Sequence, residues 1–211
     1  MPHASSLKPL HHHDLGQNVP KRHSKITRII AAFFAKCTGW QAVGAIPNIL
    51  KAVLIGVPHT SNYDGLFALP VLLALDLDVK IMGKKQLFRI PVLASFLRWA
   101  GVIAIDREKK GSTLNASIER LVQAEQMFIG LAPEGTRDYS KQWKTGFYYL
   151  ALGANVPILP VAMDYQSKQI RFLAPFYPTG DIDHDLPQLY QYFQHIQPKH
   201  RSRLSQPLQD L

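Results

Sequence analysis

The chain has 211 residues, 46% of them apolar, and sets 24 Lys and Arg against 15 Asp and Glu for a formal charge of +9. That length and apolar content suit one α/β domain with short tails and a core of its own, and no run reaches the ~18–20 apolar residues of a membrane-spanning helix. Cys37 is the single cysteine, which excludes an intrachain disulfide, fits a reducing compartment, and reads as a small buried hydrophobe in its apolar setting.

Residues 1–22 are polar, rich in His and Pro, and without periodicity, so they read as a flexible arm. The arm lacks the order of regions of a secretory signal. Its run His11-His12-His13 has no carboxylate or cysteine at a ligand spacing and reads as a solvated polar stretch; no metal site is expected. From 23 to 200 the pattern is that of one domain, and 201–211 form a polar tail. Ser24 caps a helix running to 38, closed by Gly39, in which Ile26, Ile29, Ile30, Phe33 and Phe34 alternate with Lys25, Arg28 and Lys36. Such a basic amphipathic helix either docks on its own domain or lies in a lipid interface beside anionic headgroups.

Further along, 52–57 reads as a buried strand, 64–75 as a helix carrying Pro70, 79–82 as a strand, 91–100 as a helix and 102–105 as a third strand. An amphipathic helix follows over 112–125, then a strand over 127–132, a helix over 145–152 closed by Gly153, a strand over 156–161 and a short one over 170–172. The last helix is expected over 186–196. Strands alternating with helices predict a single α/β domain with a mixed, mostly parallel sheet flanked by helices.

Ligands in such sheets bind beyond strand ends. Three expected strands end in polar clusters: His59 to Asp64, Asp106-Arg107, and Glu134-Gly135-Thr136-Arg137. Their convergence predicts one site built from three loops. Histidine suits general-base work near neutral pH, and a carboxylate on its other ring nitrogen fixes the tautomer. A strand-to-helix turn returns Asp64 to His59 across their spacing; alone, the pair reads equally as a capped turn with Asp64 as the helix cap. In the second cluster Arg107 is a candidate phosphate ligand, whereas Lys109 and Lys110 read as a solvated basic loop. In the third, Gly135 permits a tight turn, Thr136 offers a hydroxyl and an amide, Arg137 offers a fork for phosphate, and Glu134 anchors the loop by accepting hydrogen bonds. Lys84 and Lys85 can face the same pocket, and Lys144 is a weaker candidate for an anion contact.

Four ordered stretches resemble the glycerolipid acyltransferase family, whose best-known members are 1-acylglycerol-3-phosphate acyltransferases. His59-Thr60-Ser61-Asn62-Tyr63-Asp64 matches its His-x4-Asp block. Gly101 to Arg107 matches a strand ending in Asp-Arg, Pro133 to Arg137 matches Pro-Glu-Gly-Thr-Arg in full, and Val156-Pro157-Ile158-Leu159-Pro160-Val161 matches a fourth, proline-bearing strand. The resemblance covers about residues 50–165.

The resemblance implies an O-acyltransferase needing no cofactor, with His59 as base and Asp64 as its orienting partner. Arg107, Glu134, Gly135, Thr136 and Arg137 would hold the acceptor's phosphate, and Lys84 or Lys85 would serve acceptor binding or an oxyanion hole. The donor would be an acyl-CoA or acyl-carrier-protein thioester, and the acceptor a phosphate-bearing lipid such as 1-acylglycerol-3-phosphate. The positive charge then belongs to an anionic membrane surface and phosphorylated substrates rather than to nucleic acid, for which no recognition helix, zinc spacing or aromatic RNA-binding motif is present. The expected location is cytoplasmic, peripheral on the inner face of the cell membrane. A lipid- or CoA-binding protein without turnover is the competing expectation, as is another hydroxylated lipid as acceptor.

Overall fold

The computed structural model describes residues 7–105 and 110–211. In chain order the elements are α1 (Lys25–Thr38), β1 (Gln41–Gly44), β2 (Lys51–Val57), α2 (Tyr63–Ala74), β3 (Val79–Lys84), α3 (Pro91–Trp99), β4 (Val102–Ile105), α4 (Lys110–Gln123), β5 (Met127–Leu131), α5 (Gly146–Ala154), β6 (Ile158–Asp164), β7 (Gln169–Phe172), α6 (Ile182–Gln191) and a last turn, α7 (Gln206–Gln209). The sheet has seven strands in the order β1-β7-β6-β2-β5-β3-β4. Every pairing is parallel except β6 with β7. The predicted α/β class, mixed and mostly parallel, is the fold observed.

Strand β2 runs through the middle and is buried on both faces, as a parallel strand between helical layers must be. Its alternate residues divide between two cores. Val53, Ile55 and Val57 pack with Leu121, Phe147, Tyr148, Leu150 and Phe193 from α4, α5 and the segment after α6. Ala52 and Leu54 pack with Trp40, Val71, Leu75 and Phe128 on the side of α1 and α2. Pro160 sits inside β6 although proline removes a ladder donor. Its carbonyl accepts from the Leu173 amide at 3.0 Å, which directs its backbone toward the β7 side and leaves the β2 ladder intact.

The structure departs from the sequence expectations in several places. β1 was not anticipated: it is a four-residue edge strand, too short for a clear alternation. α6 begins four residues earlier than expected, at Ile182, because Asp181 caps it by accepting from the His184 amide at 3.2 Å. Residues 7–22 lie against the domain rather than forming a loose arm: Leu10, Leu15 and Val19 are buried in the α1–α2 core, and Pro9 bridges to Val43. The tail after 200 is likewise packed, with Leu204 and Leu208 in the opposite core. Apolar residues scattered through a polar run give no periodicity, yet they are the ones that pack into the core.

Helix α1 rests on its small residues. Ala31 and Ala35 are buried, while Ile26 and Phe33 are 73% and 69% exposed. Cys37 is also exposed, contrary to expectation, because it shares the outward side of α1. The same outward habit recurs around α3, where Ile90, Val92, Phe96 and Trp99 are exposed. Arg22, just before α1, donates to the Trp99 carbonyl and stacks over its ring at 5.2 Å, joining the two helices' neighbourhoods. Among the described residues no helix is long and apolar enough to cross a membrane.

Candidate active site

The parallel strands β6, β2, β5 and β3 deliver their carboxyl ends to one edge of the sheet. Neighbouring strands lie about 4.8 Å apart, so the loops leaving β2, β5 and β6 meet without long excursions. The loop after β2 carries His59, that after β5 carries Glu134 to Arg137, and that after β6 carries Tyr165.

His59 and Asp64 form a hydrogen-bonded pair, with Nδ1 to Oδ2 2.9 Å. Asp64 is the second residue of α2, where the positive end of the helix dipole favours a carboxylate. It is buried to 5% exposure, yet its oxygens are satisfied by three donors: the His59 ring, the Ser61 amide at 2.9 Å and the Tyr165 hydroxyl at 2.6 Å. The alternative in which Asp64 merely caps the helix is not what is seen, since Asn62 occupies the cap position. Burial first, and the Asp64 carboxylate second, push the Tyr165 hydroxyl's pKa far up, so it remains a donor. An ionised carboxylate can only accept, so in the neutral imidazole this contact assigns the proton to Nδ1 and the lone pair to Nε2. The His59 side chain is 31% exposed, against 6% for Asp64, so the ring is reachable from solvent while its partner is not.

Glu134 is the second buried acid at this edge, 3% exposed. Its Oε2 accepts the His59 backbone amide at 2.5 Å and its Oε1 accepts the Ser205 hydroxyl at 3.1 Å. Burial raises its pKa, and the donors from His59 and Ser205 offset only part of that rise. Its side chain turns inward and ties the β5 loop to the β2 loop, the anchoring by accepted hydrogen bonds expected of it, with a β2-loop amide and the Ser205 hydroxyl as the donors.

After Glu134, the backbone turns through Gly135 at φ +67°. A Cβ there would lie 2.7 Å from the Lys144 side chain, whose flexible end can move aside, so it is the left-handed backbone that calls for glycine. Thr136 Oγ1 accepts the Asp138 amide at 3.2 Å, and Arg137 donates to Asn62 Oδ1 in the β2 loop. That contact engages one of five guanidinium N–H donors.

The acyltransferase family pattern matches residues 43–164, more than half of the chain. The chain belongs to the acyltransferase family. It is 30% identical over 120 residues to an uncharacterised acyltransferase of Schizosaccharomyces pombe, covering 54% of this chain and 42% of that protein. It is 32% identical over 119 residues to the 1-acyl-sn-glycerol-3-phosphate acyltransferase of Haemophilus influenzae, covering 54% of this chain and 48% of the relative. The match thus spans less than half the length of either relative. The crystal structure of the 1-acyl-sn-glycerophosphate acyltransferase PlsC from Thermotoga maritima shares the fold, with a TM-score of 0.57 at 19% identity, covering 80% of this chain and 75% of that one.

Within this acyltransferase domain, the structure brings together His59, Asp64, Glu134 and Arg137, with Gly135 and Thr136 in the connecting turn. Lys84 ends β3 and Lys85 opens the 3-10 turn Lys85–Arg89, at the same sheet edge but two strands from β2. Arg107 and its neighbours Asp106 and Lys109 lie outside the described residues. The sequence reading passed over Tyr165, Ser205 and Thr60. Tyr165 had a legible signal, a polar residue just past the carboxyl end of the strand beside β2. Ser205 had none, lying 71 residues from the Glu134 it serves. No group of three or more His, Cys, Asp or Glu able to hold a metal occurs among the described residues.

Proposed function

We propose that the domain transfers a fatty acyl group from an acyl-CoA or acyl-carrier-protein thioester to the free hydroxyl of 1-acylglycerol-3-phosphate. The observation that carries this reading is the His59–Asp64 hydrogen bond of 2.9 Å, buried on the carboxylate side and open on the imidazole side. Nε2 takes the acceptor hydroxyl's proton as the oxygen attacks the thioester carbonyl. Asp64 holds the ring and stabilises the imidazolium. The tetrahedral intermediate collapses by breaking the carbon–sulfur bond, and the imidazolium returns its proton to the departing thiolate. No covalent acyl-enzyme enters the cycle.

Arg137, beside the β2 loop through Asn62, supplies the fork for the acceptor's phosphate together with the turn at Gly135 and Thr136 and with Arg107. Lys84 or Lys85 contributes from the β3 end to acceptor binding or to the oxyanion. The relatives named as 1-acyl-sn-glycerol-3-phosphate acyltransferases support this choice of acceptor.

The lipid acceptor places the enzyme at a membrane surface. The exposed Ile26, Ile29, Ile30 and Phe33 of α1, with Lys25, Arg28 and Lys36 among them, support insertion into the cytoplasmic face of an anionic bilayer. The deciding experiment compares His59→Ala with the unaltered protein, using acyl thioesters and a panel of lysophospholipids, with products read by mass spectrometry. Undiminished transfer by the variant refutes the assignment of His59.

A further inference from the structure

The β2 loop must hold a base to within a fraction of an ångström, and it is largely buried, Thr60 to 1% and Ser61 to 4% exposure. What secures it comes from a segment beyond the family match, residues 197–205. One route runs to His59. The Trp143 indole N–H donates to Ser205 Oγ at 3.0 Å, the Ser205 hydroxyl donates to Glu134 at 3.1 Å, and Glu134 accepts the His59 amide. A second route runs to Asp64. The Tyr165 amide donates to the Gln197 carbonyl at 2.8 Å, and the Tyr165 hydroxyl donates to Asp64 Oδ1 at 2.6 Å. Between them, the His200 amide donates to Thr60 Oγ1 at 3.3 Å, Arg203 donates to the Thr60 carbonyl at 3.5 Å, and the Lys199 ammonium sits 3.9 Å above the Tyr63 ring.

We propose that residues 197–205 are a clasp that positions the catalytic pair, acting on His59 through Ser205 and Glu134 and on Asp64 through Tyr165. This rests on the acyl-transfer reading given above. Ser205 and Tyr165 are positioning residues. Ser205 is buried to 1% exposure, and the Tyr165 hydroxyl is spent on Asp64, so neither is offered to a substrate. The Ser205 and Tyr165 hydroxyls each donate to a carboxylate oxygen, that of Glu134 and that of Asp64 respectively. The clasp fixes the ring on two sides of one short loop. Releasing either side lets the base drift, and a displacement of about 1 Å costs on the order of a hundredfold in rate.

The test uses Ser205→Ala and Tyr165→Phe in the full chain, with kcat and KM measured beside the nuclear magnetic resonance signal of the His59 Nδ1 proton. The clasp predicts that kcat falls roughly ten- to a hundredfold. KM for donor and acceptor stays within about twofold, since no substrate contact is lost. The Nδ1 proton signal shifts or is lost to exchange with solvent while the circular dichroism spectrum is retained. Folded variants with unchanged kcat and an unchanged proton signal overturn the proposal. If Ser205→Ala does not fold, Tyr165→Phe removes only one hydroxyl and decides alone. A protein that turns over no thioester, but whose proton signal is disturbed by both variants, upholds the clasp and refutes the acyl-transfer reading instead.

Discussion

Glu134 holds His59 by its backbone: the carboxylate accepts the His59 amide at 2.5 Å across 75 residues of sequence. One buried acid therefore fixes where the imidazole is rooted, and a second, Asp64, fixes how it is turned. The two roles separate in what their loss does.

Asp64→Asn keeps the shape of the pair but puts an amide donor within reach of Nδ1, favouring the tautomer whose proton sits on the wrong nitrogen. We expect acyl transfer to fall by about 10²–10⁴-fold, comparable to the loss of a general base in His59→Ala. Single-turnover rates at saturating donor and acceptor check this, and a variant within tenfold of the parent counts against a dyad.

Glu134 carries a pH dependence of known sign. Its folded pKa lies above the ordinary 4.5 because burial penalises the charged form. In the window above that ordinary value, the folded state binds more protons than the unfolded state, so stability falls as pH rises through it. Glu134→Gln removes that slope. Chemical denaturation at a series of pH values from acid to neutral should show the variant gaining on the parent as pH rises, even though its amide cannot accept from both His59 and Ser205.

Arg137→Ala should raise KM for a phosphate-bearing acceptor by about tenfold, the loss expected for one charge-assisted contact. KM for the thioester and turnover of an acceptor without phosphate should stay unchanged. Arg137→Lys keeps charge but not the fork and is expected to rescue only in part. Equal effects on both acceptors would remove Arg137 from phosphate binding.

Gly135→Ala places a side chain at φ +67° and within 2.7 Å of Lys144. The left-handed conformation alone costs about 1–2 kcal/mol, which lowers the melting temperature by roughly 2–8 °C in a domain of this size. A melting curve unshifted from the parent would mean that the turn tolerates a Cβ.

At the membrane side, Ile30→Ser and Phe33→Ser are expected to weaken binding to anionic phospholipid vesicles by roughly tenfold each, since burying one such side chain is worth about 1.5–3 kcal/mol. Sedimentation with vesicles reads this directly. Retained binding by the double variant would move the contact elsewhere, the outward side of α3 being the next candidate.

The parts of this fold that were legible in the sequence are those with local signatures. β2 announced itself as an apolar run ending in His59, and α4 by its periodic face. The turn through Gly135 followed from residue type, whereas the spacing of His59 and Asp64 allowed either a pair or a capped turn, and the family resemblance favoured the pair. What stayed hidden depends on contacts between distant segments. Leu10, Leu15 and Val19 give no pattern in a polar stretch, though they pack as well as any core residue. The inward turn of Glu134 is set by Ser205 and by a backbone amide, neither of which a motif records. The bulky side of α1 was visible as amphipathic, but only packing shows that its alanines face inward and its isoleucines outward.

The Ser205–Glu134 bond also bears on the order in which the molecule is made. A ribosome that has just released β6 has exposed both motifs of the catalytic edge, yet Glu134 at that moment lacks its hydroxyl partner and Tyr165 lacks the Gln197 carbonyl. Translation must run on through residue 205 before the β2 loop can be locked. A nascent chain thus carries the letters of the catalytic edge well before it carries the hydrogen bonds that hold that edge together.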